Sequence, residues 1–145
     1  MIYTRRTKIA LRFMEMAHRG QVDRGGVPYA FHPYTVAEWA GHTESETLVA
    51  LLHDITEDTE YTLDQLRDTV GLTEAECRSL KLLAREKGTS YMDYIRALKG
   101  DPVARNVKIA DLRHNMNIER LENPTDRDMG RIRKYGRALS ELLKK

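Results

Sequence analysis

Apolar residues recur along this chain at spacings of three and four, the period of an α-helix, with no sustained alternation of the kind a half-buried strand needs. Ile9, Phe13, Met16 and Ala17 fall on one face of a first helix that Gly20 closes. The following stretch, QVDRGGVPYAFHP, carries Gly25, Gly26 and Pro28 and predicts irregular backbone. Pro33 suits the first turn of a second helix reaching about Gly41. Residues 46–55, ETLVALLHDI, are apolar on almost every side and predict a central, buried helix. Thr62 is placed to cap TLDQLRDTV up to Gly71. Thr73 with Glu76 three residues on forms a capping-box pattern, ahead of a helix lined by Leu80, Leu83 and Ala84 and broken by Gly88. Ser90 starts YMDYIRAL, which ends near Gly100. Asp101-Pro102 opens a long helix expected to reach about Leu121, and after Asn123-Pro124 a basic helix runs over about 124–143. The expectation is an all-α fold: about eight helices in one bundle-like domain over residues 1–145, without repeats or low-complexity linkers.

Composition narrows the class. With 145 residues, 41% hydrophobic and 32% charged, the chain can bury a core without staples. Its 24 basic and 22 acidic residues leave a net charge of +2, too even to argue for a nucleic-acid polymer or a membrane surface. The single cysteine, Cys77, excludes an internal disulfide and points to a reducing, cytoplasmic setting; it reads as a small buried hydrophobe. The N-terminus lacks the apolar core of a signal peptide, and no run approaches the roughly 18 apolar residues of a membrane span.

Candidate chemistry concentrates in LLHDITEDTEYT. His53 and Asp54 are adjacent, and Glu57 and Asp58 follow one helical turn later, at the end of an otherwise apolar helix. Burying these groups is costly unless they are paired or bind a metal, and no Lys or Arg occurs between Ala50 and Leu66. The bland reading is an acidic helix end facing water beside one satisfied histidine. The sharper reading is a metal site, for which His32 and Asp111 are further candidate ligands. Two imidazoles and two carboxylates suit a first-row divalent ion such as manganese, iron or zinc, whereas one cysteine rules out thiolate ligation. An ion pair of Asp111 with Lys108 or Arg113 is the competing explanation for that aspartate.

Three motifs in order, AHRGQVDRGGVPYAFHP, ALLHDITEDTEYT and VKIADLRHNM, resemble the HD-type hydrolase domain of RelA/SpoT alarmone enzymes over roughly residues 8–121. The resemblance implies an all-helical HD fold and one manganese ion held by His32, His53, Asp54 and Asp111. It implies that Glu57 and Asp58 position or deprotonate the attacking water, and that the substrate is guanosine tetra- or pentaphosphate, losing its 3′-pyrophosphate. It assigns nucleotide contacts to Arg24 and Asn115, and leaves Lys108 between neutralising phosphate and supporting Asp111. His18 and His114 match family positions and read as packing or supporting residues. The scattered tyrosines read as packing residues, and the stripe of Arg127, Arg131 and Lys134 as a solvated face.

Two departures concern the base rather than the metal. Asp23 stands where the family usually has an arginine that stacks on guanine, and Leu112-Arg113 reverses the family order. An acidic side chain cannot reproduce a guanidinium stack. Alternatives are therefore an HD phosphohydrolase acting on another nucleotide, such as NADPH or a 3′-phosphorylated nucleotide, or a non-catalytic nucleotide sensor. The chain ends where longer relatives continue into a synthetase, so a hydrolase-only form is expected, with linkage to a toxic alarmone synthetase as a candidate role.

Overall fold

The computed structural model describes all 145 residues. Its α-helices are α1 (Arg5–Ala17), α2 (Phe31–Ala40), α3 (Glu44–Leu52), α4 (Ile55–Asp58), α5 (Leu63–Val70), α6 (Glu74–Leu83), α7 (Tyr91–Lys99), α8 (Pro102–Asn115) and α9 (Asp126–Leu143). A 3-10 turn covers Ile118–Arg120, and the only β-type pairing is one bridge between Val22 and Pro28 in the glycine loop. The fold is all-α. No helix is long and apolar enough to cross a membrane.

Local chemistry explains where the helices begin. Thr62, Thr73 and Ser90 accept from the third backbone N–H of α5, α6 and α7, as their positions predicted. Asp101 does the same for α8, with Pro102 in the first turn. Thr4, Thr43 and Thr125 cap α1, α3 and α9 in the same way.

The predicted central helix is central: α3 packs against α1, α2, α6 and α8, and Leu48, Val49, Ala50, Leu51 and Leu52 are completely buried. Each such leucine contributes about 2–3 kcal/mol through apolar burial. All these side chains belong to one 25-residue core that also takes Leu66, Leu98, Leu112 and Leu142 from other helices. Cys77 is half-buried against this core, so it packs more loosely than expected.

Two predicted helices are shorter than expected. The central one stops at Leu52 and does not continue through Ile55. The Ala50 carbonyl, which a continuing helix would offer to the Asp54 N–H, accepts from His53 Nδ1 at 2.6 Å. His53 and Asp54 therefore lie on a turn between α3 and α4. The long helix stops at Asn115 and not near Leu121. The Asn117 side chain accepts from the Glu119 N–H, and the His114 carbonyl accepts from the Asn117 N–H at 3.2 Å and from Arg120 at 2.9 Å.

One buried carboxylate ties three helices together. Glu76, 2% exposed, accepts from Arg6 at 2.6 and 3.1 Å, from Ser45 at 2.6 Å and from the Thr73 N–H at 2.9 Å. Burial opposes its charge, but the bonds from Arg6, Ser45 and Thr73 outweigh it and hold the carboxyl at about 2, below the ordinary 4.5. Its stabilising contribution is complete above pH 4.5 and disappears as pH falls towards 2. Glu76→Gln is expected to cost about 2 kcal/mol at pH 7, the scale of a charged hydrogen bond. Urea melts at stepped pH should show the gap between variant and parent closing below pH 4.5.

Candidate metal centre

The turn after α3 and the middle of α8 face the start of α2 at the centre of the molecule. There His32, His53, Asp54 and Asp111 each offer one ligand atom, and these atoms all lie within 4.8 Å of one another. His32, His53 and Asp111 are 2%, 5% and 4% exposed. His32 Nε2 is 2.8 Å from Asp111 Oδ1, and His53 Nε2 is 3.2 Å from Asp54 Oδ2.

The donors fit a divalent ion. Nδ1 of His53 donates to the Ala50 carbonyl, which leaves Nε2 facing Asp54 at 3.2 Å and Asp111 at 3.5 Å; these carboxylates raise the affinity of His53 for a proton well above the ordinary range, and a divalent ion bound there would displace the Nε2 proton. His32 Nδ1 lies 2.7 Å from His114 Nδ1, and the two rings stack at 5.0 Å. Burial, with the charges of Arg120 and His32, pushes His114 down to about 4, so it stays neutral and can accept from His32. That bond commits Nδ1 of His32, so Nε2, 2.8 Å from Asp111, is the nitrogen that would ligate an ion.

The carboxylates are ionised despite their surroundings. Burial works against charge on Asp54, but His53 beside it brings the carboxyl to about 2. Burial likewise opposes charge on Asp111, yet Lys108 at 2.8 Å, His32 and His53 hold it well below the usual range. Lys108 neutralises only one of the two carboxylates, leaving room for a second positive charge between them. The ion pair between Lys108 and Asp111 and the metal reading are therefore compatible. Arg113 takes no part and is exposed.

Beside this centre lies a cavity of about 340 Å³, lined by Asp23, Arg24, Tyr29, Asn115, Arg120, Asp128, Arg131 and Tyr135 among others. Tyr29 and Asn115 belong to both places: the Tyr29 hydroxyl donates to Asp54 at 2.7 Å, and Asn115 Nδ2 donates to Asp111 at 3.1 Å. Arg24 reaches Asp128 at 2.6 Å.

The glycine loop is docked by its own sequence. Asp23 Oδ1 accepts from the N–H groups of Gly25 and Val27, and its Oδ2 faces Arg120 at 3.3 Å. A Cβ on Gly25 would stand 1.9 Å from the Arg120 carbonyl, so only glycine fits there. Gly26 has φ of +81°, a left-handed conformation that also favours glycine.

Comparison with known proteins adds the lineage. No protein-family profile matches the chain. It is 36% identical over 112 residues to a guanosine-3′,5′-bis(diphosphate) 3′-pyrophosphohydrolase of Haemophilus influenzae, matching 69% of this chain and 16% of that protein. It is 35% identical over 112 residues to the bifunctional (p)ppGpp synthase/hydrolase SpoT of Escherichia coli, with 69% and 16% covered. A GTP pyrophosphokinase of Streptomyces antibioticus is 33% identical over 126 residues, covering 80% of this chain and 15% of the relative. The chain belongs to the HD hydrolase domains of the RelA/SpoT family. It matches about one sixth of the length of these curated relatives, 15–16%. A metazoan ortholog of SpoT, described as hydrolysing ppGpp, shares the fold at a TM-score of 0.78 over 99% of this chain and 88% of that one, at 18% identity.

Within this RelA/SpoT domain the predicted site residues separate. His32, His53, Asp54 and Asp111 converge; Arg24 and Asn115 line the adjoining cavity; Lys108 is 13% exposed and committed to Asp111. Glu57 and Asp58 differ from each other. Glu57 is exposed and accepts from the Arg85 backbone N–H at 2.8 Å. Asp58, also exposed, has its carboxyl pushed up by partial desolvation and by the charge of Asp54. His18 is buried, 5.0 Å from the Tyr29 ring.

Two readings need correction. Tyr29 is more than packing, since it orients Asp54. The stripe on α9 is not a solvated face: Arg131 and Lys134 are half-buried, Arg131 pairs with Asp128 at 3.4 Å, and only Arg127 is exposed. Sequence reading also missed Asp128 and Arg120. Thr125 three residues before Asp128 did mark a capping box, but nothing local signals that the same carboxylate reaches Arg24.

Tyr29→Phe should weaken divalent-ion binding about 10-fold, the usual weight of a group that orients a ligand, as read by calorimetric titration of manganese. Gly25→Ala should cost about 1–3 kcal/mol from overpacking against the Arg120 carbonyl, measured as a lower midpoint in denaturant and faster protease cleavage within residues 20–28.

Proposed function

We propose that this chain acts as one catalytic domain in the cytoplasm, a manganese-dependent hydrolase that removes the 3′-pyrophosphate from ppGpp or pppGpp. The observation that carries the reading is the convergence of His32, His53, Asp54 and Asp111 beside a cavity whose walls present Arg24, Arg120 and Arg131. The names of the relatives supply the substrate.

When bound, a divalent ion supplies Lewis acidity towards water and a phosphoryl oxygen. The chain supplies the remaining groups. His32, His53, Asp54 and Asp111 hold the ion, with His114, Tyr29 and Lys108 fixing their orientation. Asp58 is the better general base of the acidic pair, because partial desolvation and the neighbouring Asp54 raise its affinity for a proton. Glu57, held by the Arg85 N–H, braces the turn that carries Asp58. Water attacks the phosphorus next to the 3′ oxygen and passes its proton to Asp58. The bond from phosphorus to the 3′ oxygen breaks, and that oxygen takes up a proton, so ppGpp yields GDP and pyrophosphate. Arg24 and Asn115 line the cavity in position to hold the nucleotide, and positioning plus charge neutralisation carries most of such a reaction.

One observation favours a different nucleotide at the same centre. Asp23 is consumed by the loop N–H groups and by Arg120, so the guanine-stacking arginine of the family has no counterpart on this loop. A substrate panel separates the two readings. Purified protein with manganese should convert ppGpp to GDP and pyrophosphate, and chelation should abolish turnover. Asp54→Asn and Asp58→Asn should each lower kcat by about 100-fold or more. Turnover of NADPH or a 3′-phosphorylated nucleotide with ppGpp left intact would replace the alarmone by that substrate.

A further inference from the structure

The cations around the centre fall into two groups. Arg24 and Arg131 face Asp128, Arg120 faces Asp23, and Lys108 faces Asp111. Arg85 and Lys134 have no carboxylate oxygen within 4.0 Å. Both are instead gathered on a single aromatic ring. Lys134 Nζ lies 4.3 Å from the centroid of Tyr91, and the Arg85 guanidinium carbon lies 5.6 Å from it. Glu57 accepts from the Arg85 backbone N–H and does not pair with its guanidinium, whose Nε donates to the Thr89 carbonyl at 2.9 Å.

This arrangement is unsatisfied in charge. Burial, then the neighbouring charges of Arg85, Lys108 and Arg131, push the Lys134 ammonium below its ordinary range, which is the mark of cations crowded without a counter-ion. An aromatic face is a weak partner, contributing about 0.5–2 kcal/mol. An anion held by two such cations gains far more, through charge-assisted hydrogen bonds.

The platform also backs onto the metal centre. The Tyr91 hydroxyl is sealed from solvent without a hydrogen-bond partner, within the field of Lys108 and Asp111. The Tyr91 ring is 5.8 Å from Tyr94, over which Lys108 Nζ sits at 5.3 Å. On its other side Tyr91 is 6.4 Å from Tyr135, which lines the cavity.

We propose that Arg85 and Lys134, gathered on the Tyr91 ring, bind the distal phosphate of the diphosphate undergoing hydrolysis and so select diphosphate over monophosphate esters. The inference rests on the hydrolase reading of the same centre. The distal phosphate is the fitting occupant because Tyr91, which carries both cations, lies within the field of Lys108 and Asp111 at the centre. The remainder of the nucleotide has the cavity lined by Arg24, Arg120 and Arg131, which pair with Asp128 and Asp23.

The test is calorimetric titration of the metal-free full chain with inorganic pyrophosphate and with inorganic phosphate. The parent should prefer pyrophosphate by about 10-fold or more, and Lys134→Met and Arg85→Met should each remove most of that preference. Lys87→Met, on an exposed neighbour, should retain it, and circular dichroism melts establish that each variant is folded. Tyr91→Leu should lose several-fold in pyrophosphate affinity, whereas Tyr91→Phe, which keeps the ring, should not. Equal pyrophosphate binding by the parent and both cation variants, or no preference in the parent, overturns the subsite. Turnover of ppGpp by the parent is read separately. A parent inert to ppGpp that still loses pyrophosphate binding through Lys134→Met keeps the diphosphate subsite and rejects only the alarmone.

Discussion

The interaction on which the architecture depends is the forced approach of two ionised carboxylates, Asp54 and Asp111, inside a protein core. Their ligand oxygens fall within 4.8 Å of each other and of two imidazoles. Left alone, such a pair would cost several kcal/mol, and one carboxyl would take up a proton. The chain instead keeps both charged, with Lys108 against Asp111 and His53 against Asp54. Neutral His114 and the Tyr29 hydroxyl then fix the direction of His32 and of Asp54. A folded chain that spends stability on two like charges has a use for the cation that would relieve them.

The rest of the fold can be understood as the means of holding that approach. The apolar α3 delivers His53 and Asp54 at its end, and α8, packed along it, delivers Asp111 from its middle. The break between α3 and α4 arises from the site itself, since His53 takes the Ala50 carbonyl that would have extended the helix. The buried bonds of Glu76 to Arg6 and Ser45 fasten the start of α6 to α1 and α3, away from the chemistry. The glycine loop closes over the other side, with Gly25 pressed on the Arg120 carbonyl and Asp23 bonded to the Arg120 guanidinium.

Charge around the cavity is sorted rather than merely positive. A net charge of +2 gives no hint of this, because acidic and basic residues nearly cancel over the whole chain. Locally, Asp128 holds Arg24 and Arg131, and Asp23 holds Arg120, so the cavity lining sets three arginines against two carboxylates. Apart from that lining, Arg85 and Lys134 lie on Tyr91 without a carboxylate.

Much of this was legible in the residues. Helix starts at Thr62, Thr73, Ser90 and Asp101 were readable because a cap acts over three residues, and the central α3 because its apolar run has no polar face. The convergence of His32, His53, Asp54 and Asp111 was legible as three ordered motifs, since the chemistry of a mixed nitrogen and oxygen site restricts which residue types can serve. What only the tertiary structure decided was how side chains far apart in sequence choose partners. Tyr29 on Asp54, Arg24 on Asp128 and Lys134 on Tyr91 each join different segments, and nothing within a few residues of either member announces the pairing. A periodic pattern reports which face of a helix turns inwards. It does not report whether an inward-facing arginine or lysine meets a carboxylate, an aromatic ring or a space for substrate, because that depends on what the neighbouring helices bring to the same place.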